Sequence, residues 1–104
     1  MKLLTKAIKN KATKQYSLGS DMEQMVVAKF FNPCGRGTWY LMNMDGDYCW
    51  GICHIYEGEI GSFSIGELEG VSMPYGLKIE RDRYFTPVKA SELWTKLNKE
   101  GVIK

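Results

Sequence analysis

Cys34, Cys49, Cys53 and His54 fall within 21 residues and are all zinc-ligand types, so metal binding is the first chemistry to weigh. Their spacing argues against it. No Cys-x2-Cys knuckle is present, and Cys53 and His54, adjacent on a strand, point to opposite faces. His54 is the single histidine, so an imidazole base must be that residue. Cys34, in a glycine-flanked loop, would be its nucleophile, but nothing local demands the pairing. Tyr48, Trp50, Ile52 and Tyr56 share the face of His54, which suits a histidine packed in or beside a core. Gly61-Ser62-Phe63-Ser64-Ile65-Gly66 misses a nucleophile elbow, because a serine stands two residues before Ser64. Glu57 with Glu59, and Glu80 with Asp82, would each share a strand face, Glu67 lies close in sequence to the first pair, and two or three of these could hold Mg2+ as a nuclease does. The alternating Glu80-Arg81-Asp82-Arg83 suits ion pairs on an exposed edge instead. No phosphate loop, dinucleotide fingerprint, zinc-protease or EF-hand pattern occurs. No catalytic residue, metal or cofactor is assigned.

The elements that must position these groups are legible from periodicity. Leu4, Ile8 and Ala12 recur every four residues and predict a helix from Leu3 to about Thr13, ringed by lysines. Ser17 to Asp21 turns around Gly19. Met25 to Phe31 is rich in strand formers and stops at Asn32-Pro33. Thr38 to Met44 and Tyr48 to Tyr56 form a hairpin about Asp45-Gly46-Asp47. Both strands are apolar on two faces and so belong in the middle of a covered sheet. Glu59 to Phe63 follows, and then a short helix over Ile65 to Glu69 in which Ser64 and Glu67 have capping-box spacing. Leu77 to Phe85 predicts a polar edge strand, one that could pair across a dimer. Thr86-Pro87 starts a last helix with Val88, Leu93, Trp94 and Leu97 buried and Gly101 as its stop. Short connections exclude parallel crossovers within the meander. The fold is therefore α+β: one domain over residues 1–104, with a mainly antiparallel sheet of four to five strands and three helices.

Composition bounds the function. At 104 residues and 11.9 kDa the chain makes one core; 44% hydrophobic and 25% charged residues exclude disorder. No apolar run reaches the ~20 residues that span a bilayer, and lysines come too early for a secretory signal. An odd count of three cysteines favours free thiols, and hence the cytoplasm. The net charge of +2 hides a segregation. Residues 1–36 carry seven basic and two acidic side chains, residues 37–77 six acids and no Lys or Arg, and residues 78–104 seven basic and four acidic. Such asymmetry bears on partners and association rates rather than on fold.

Several strings occur together: Val26-Val27-Ala28-Lys29-Phe30-Phe31 before Pro33, Thr38-Trp39-Tyr40, Gly61 through Glu69, and Gly76-Leu77-Lys78-Ile79-Glu80-Arg81-Asp82 with Phe85. Over nearly its whole length the chain resembles a family of small bacterial proteins known only as a domain of unknown function. Members of that family are often found on plasmids, conjugative elements and phages. Cys34 stands where a bulkier residue is expected, and Ser62 replaces an expected tyrosine. The resemblance implies no activity and no catalytic residue.

The leading expectation is a cytoplasmic, non-enzymatic accessory protein of a phage or mobile element. It would bind a host protein or a defence nucleoprotein complex, such as a CRISPR or restriction effector. The acidic stretch would occupy a site evolved for phosphates, through Asp45, Asp47, Glu57 and Glu59, with Tyr40 as aromatic anchor. The alternative is a nucleic-acid-binding module using Lys2, Lys6 and Lys9 of the first helix together with Arg36. A small metal-dependent hydrolase or nuclease stands third. No membrane partner is expected.

Overall fold

The computed structural model describes residues 3–55 and 57–100. In chain order the elements are α1 (Lys6–Lys14), a 3-10 turn (Tyr16–Leu18), β1 (Met25–Val26), β2 (Ala28–Phe31), β3 (Thr38–Asp45), β4 (Tyr48–His54) and β5 (Gly58–Ser64). Then come α2 (Ile65–Gly70), a second 3-10 turn (Pro74–Gly76), β6 (Glu80–Arg81), β7 (Val88–Lys89) and α3 (Ala90–Glu100). Strands β2 to β5 form the expected antiparallel meander, and β6 pairs with β2, giving the order β5-β4-β3-β2-β6. β1 and β7 make a separate two-stranded ribbon. The fold is the α+β domain that the sequence predicts, with an apolar layer on each face of the sheet. Leu3, Ala12, Phe30, Leu41, Met44 and Leu68 pack on the face covered by α1 and α2. Val26, Tyr40, Met42, Ile52, Ala90 and Leu97 pack on the face covered by α3.

Four elements differ from expectation, each for a local reason. α1 begins at Lys6 because the Thr5 hydroxyl caps it, accepting from the Ile8 amide at 3.1 Å. Leu3 precedes the helix and is buried, its N–H donating to the Glu69 carboxylate at 3.3 Å and its C=O accepting from Arg81 at 3.0 Å. The single strand expected over Met25 to Phe31 breaks at Val27. Val27 and Ala28 both pack on the α1 face, which interrupts the alternation and frees Met25 and Val26 to pair with β7. That pairing also delays α3: Val88 and Lys89 stay extended, and the Ala90 and Ser91 amides donate to Gln24 O at 2.9 Å and Met22 O at 2.7 Å. Pro87 therefore precedes the ribbon rather than opening the helix, while Leu97 is buried as expected. The Leu77 to Phe85 strand shrinks to Glu80–Arg81. The Pro74–Gly76 turn precedes it, and Asp82 ends it by accepting from the Tyr84 amide at 2.9 Å. Tyr56 and Gly101 lie outside the described residues.

The central irregularity is a bulge in β3. Leu41 pairs with Gly51 and Asn43 with Trp50, so Met42 is the extra residue. Both Met42 and Asn43 consequently sit towards the α3 face, and Met44 returns to the α1 face. Gly51 faces the bulge at very close range: a Cβ there would lie 1.8 Å from Tyr40 O and 2.9 Å from Tyr40 C. Only glycine fits. Its partner Gly61, one strand over, has open space at the same position. Gly51→Ala is expected to cost about 3 kcal/mol or to prevent folding, through overpacking against backbone that cannot yield. Gly61→Ala should stay within about 1 kcal/mol of the parent, as a glycine-to-alanine change in an open strand position does. Urea unfolding reads both, and equal midpoints for the two variants would remove the bulge from this account.

Candidate functional site

The β3–β4 turn is built for rigidity. Asp45, Gly46 and Asp47 close the hairpin, with Gly46 at φ 60°. Asp47 then clamps the turn to the start of α2. Its main-chain O accepts from the Ile65 amide at 3.2 Å, and its carboxylate accepts from the Ser64 hydroxyl and from the Gly66 amide at 2.7 Å. The Ser64 oxygen in turn caps α2, accepting from the Glu67 amide at 3.1 Å. The serine half of the expected capping box is thus present, and Asp47 from the hairpin satisfies a further first-turn amide. These bonds, the Ser64 hydroxyl first and the Gly66 amide second, hold the Asp47 carboxyl below the usual carboxylate range.

Beside the turn lies an aromatic edge. Tyr16 and Tyr48 meet edge to face with ring centroids 6.3 Å apart, and each remains nearly half exposed, at 46% and 45%. With Gly19, Ser20, Asn43 and Trp50 they line a cleft of about 380 Å³. Its wall is fixed from below. Asn43, 1% exposed, donates to Gly19 O at 2.8 Å and Gln24 Oε1 at 2.9 Å, and Gln24 donates to Gly19 O and Asp21 O. Gln15 ties the end of α1 to β3, donating to Met42 O at 2.6 Å and to Met25 O at 2.9 Å. The indole N–H of Trp50 is buried without an acceptor among the described residues. Tyr48 is also a wall of a second recess, of about 550 Å³, with Asp45, Asp47, Ser62, Phe63, Ser64 and Glu67. An aromatic cleft and an acidic recess therefore adjoin across one side chain.

The residues expected from sequence divide between places. Asp45 and Asp47 are exposed at this edge, and Glu67, which the sequence does not group with them, lines the same recess. Glu57 and Glu59 are exposed at the other end of the β4–β5 hairpin, roughly 20 Å away at a strand rise of about 3.3 Å per residue. The acidic stretch thus forms two patches rather than one face. Tyr40 is 2% exposed and is no surface anchor. It lies under the Lys29 ammonium, 5.9 Å from the ring centre, and against Phe85, and burial drives its phenol pKa up. The alternation that makes β3 apolar on both faces turns Tyr40 to the α3 core; Tyr48, in the same parity as Trp50 but at the strand's end, is the tyrosine that emerges. Tyr16 carries no sequence signal, since only the turn after α1 brings it to Tyr48.

Lys6 and Lys9 line a groove with Asp47 and Glu69, so basic and acidic segments interleave there. Arg36 lies in the β2–β3 loop, at the far end of β3 from that groove, and Lys2 is outside the described residues. Cys49 is in the core, where burial pushes its thiol up to about 12; burial, then Glu59, pushes Cys53 up to about 11. Both thiols stay protonated near neutrality. Cys34 is exposed in the β2–β3 loop. Among the described residues no three His, Cys, Asp or Glu side chains are grouped to hold a metal ion, and no helix is long and apolar enough to cross a membrane.

A model of a protein family of unknown function (DUF2958) matches residues 1–103. No curated protein and no solved structure matches the chain.

The Asp47 clamp has a pH signature. Its folded pKa is lowered, so its stabilising contribution is complete above the unfolded value of about 3.9 and is lost as pH falls through the lower folded value. Asp47→Asn should therefore melt below the parent at pH 7, with the two curves converging in acid. Ser64→Ala, which removes the cap, is expected to cost about 1 kcal/mol. A parent–Asp47→Asn gap independent of pH would contradict the clamp.

Proposed function

The chain belongs to the DUF2958 family of proteins of unknown function, and we propose that it is a non-enzymatic binding protein that docks a partner protein through the Tyr16–Tyr48 edge. The observation that carries this reading is the continuity of exposed aromatic and acidic surface at one rigid corner. Tyr16, in the 3-10 turn that also carries Leu18, 43% exposed, meets Tyr48 at the start of β4, and Asp45, Asp47 and Glu67 line the recess that Tyr48 walls. Clustered exposed apolar side chains mark interaction sites, and aromatic residues carry a large share of interface energy. The flanking carboxylates would steer a basic partner surface and reject acidic ones. The partner we have in mind is a host protein or a defence nucleoprotein complex, such as a CRISPR or restriction effector, met in the cytoplasm by a protein of a phage or other mobile element. That setting rests on the family resemblance. The corner supports docking alone.

Tagged protein incubated with nuclease-treated host lysate tests the reading. A stoichiometric protein partner should be retained, and Tyr48→Ala should weaken its binding by about thirtyfold, the ~2 kcal/mol of an interface hot spot. Asp45→Lys with Glu67→Lys should slow association most at low salt. Glu57→Lys with Glu59→Lys at the distant hairpin end, and Tyr84→Ala, should leave binding unchanged; Tyr84 is 92% exposed and follows Asp82, which lies with Thr38 at the far end of β3. Loss of every bound species on nuclease treatment would overturn the reading and favour nucleic acid. Equal loss in the distant variants would move the interface elsewhere.

A further inference from the structure

We propose that the Tyr16–Tyr48–Trp50 cleft receives a proline-containing segment in polyproline II conformation, bearing an arginine or lysine that enters the adjoining acidic recess. This deepens the docking reading and rests on it. Three observations converge. The first is the cleft itself, walled by the edge-to-face Tyr16 and Tyr48 rings with Trp50, a shape into which pyrrolidine rings pack. The second is the Trp50 indole N–H, a buried donor without an acceptor among the described residues. A buried donor left unpaired costs about 1–3 kcal/mol, which a ligand supplying a carbonyl recovers. The third is the set Asp45, Asp47 and Glu67 on the other side of Tyr48.

These features select among occupants. A helix satisfies its own carbonyls except in its last turn, so along its length it has none for the indole. A polyproline II segment makes no internal hydrogen bonds, so its carbonyls are free, and proline brings no N–H that would need an acceptor. A single-stranded nucleic acid would set its phosphates against the carboxylates. A second copy of the chain, related by a two-fold axis through the cleft, would set acid against acid. The register also suits the length. Asp45 is paired with Tyr48, and Trp50 stands two residues further, roughly 7 Å along the strand. At about 3.1 Å per residue, a polyproline II segment covers that span in two to three residues. The basic residue therefore lies that far from the proline. The indole nitrogen is covered in the free protein, so binding requires side chains over it to give way; Tyr16 and Tyr48, both nearly half exposed, line the same cleft.

The test is a titration of the full chain, labelled with nitrogen-15, with synthetic Pro-x-x-Pro peptides carrying arginine at two, three or four residues from the first proline, on either side. Trp50→Phe assigns the indole resonance among the three tryptophans. The expected result is a saturable downfield shift of the Trp50 indole proton by at least one peptide. Replacing the prolines of that peptide by alanine, or its arginine by glutamate, should weaken binding by about tenfold each. Tyr48→Ala should do the same, with the remaining amide spectrum unchanged to show that the fold persists. Failure of every peptide to move the Trp50 resonance at millimolar concentration overturns the proposal, as does equal binding of the alanine peptide. So does a stronger response to a single-stranded oligonucleotide. If the peptides fail while Tyr48→Ala still strips a captured partner, the inference falls and the docking reading stands. If Tyr48→Ala alters neither peptide nor partner binding, both fall.

Discussion

The β3 bulge is the constraint on which the corner depends. An unbroken strand would place Asn43 on the α1 face and Met44 on the α3 face. The extra residue at Met42 reverses that parity for the end of the strand, so that Met44 fills the α1 core and Asn43 turns towards the loop after α1. There its amide holds Gly19 and Gln24, and Gln24 holds Asp21. The loop after α1 is thereby tied to β3 and forms a wall of the cleft. The cost falls on Gly51, where no side chain can be accommodated beside Tyr40 O. One glycine opposite one inserted residue thus permits the Gln15 and Asn43 bonds that tie the turn at Tyr16 and Gly19 to β3.

A second lock acts from the other side of Tyr48. Asp47 joins the β3–β4 turn to the N-terminus of α2 by three hydrogen bonds, which fixes the acidic recess as firmly as the Asn43 network fixes the cleft. The backbone of Tyr48 stands between the two, paired on both sides, with β3 and β5, while its side chain is left exposed. On the docking reading proposed above, a surface whose backbone is held in this way loses little backbone freedom on binding, which favours affinity from a small area. The same locking explains why Asp47, although exposed, contributes to the fold as well as to the charge of the corner.

Much of the fold was legible in the sequence. The Asp45-Gly46-Asp47 turn, the meander around it, the Ser64 cap and the Leu97 stripe follow from turn chemistry and periodicity. The bulge was not, because Leu41-Met42-Asn43-Met44 offers no glycine or charge to mark where alternation slips. Nor was the loss of the Leu77 to Phe85 strand, where the Pro74–Gly76 and Asp82–Tyr84 turns leave two paired residues. Of the candidate corner, charge marks Asp45 and Asp47, but linear charge counting joins them to Glu57 and Glu59, which the hairpin carries to its other end. Tyr40 and Tyr48 illustrate the remaining gap. Both are aromatic residues of the same hairpin, and only the tertiary cover of α3, Lys29 and Phe85 decides that one is buried and the other exposed.

The most direct test of the account is a hydrogen-exchange footprint of the full chain, alone and bound to a partner captured from nuclease-treated lysate. Slowed exchange over residues 16–24 and 44–50, with residues 57–61 and α1 unchanged, is the predicted result. Protection confined to residues 57–61, to the β2–β3 loop or to α1 would contradict the assignment of the Tyr16–Tyr48 corner as the surface this protein uses.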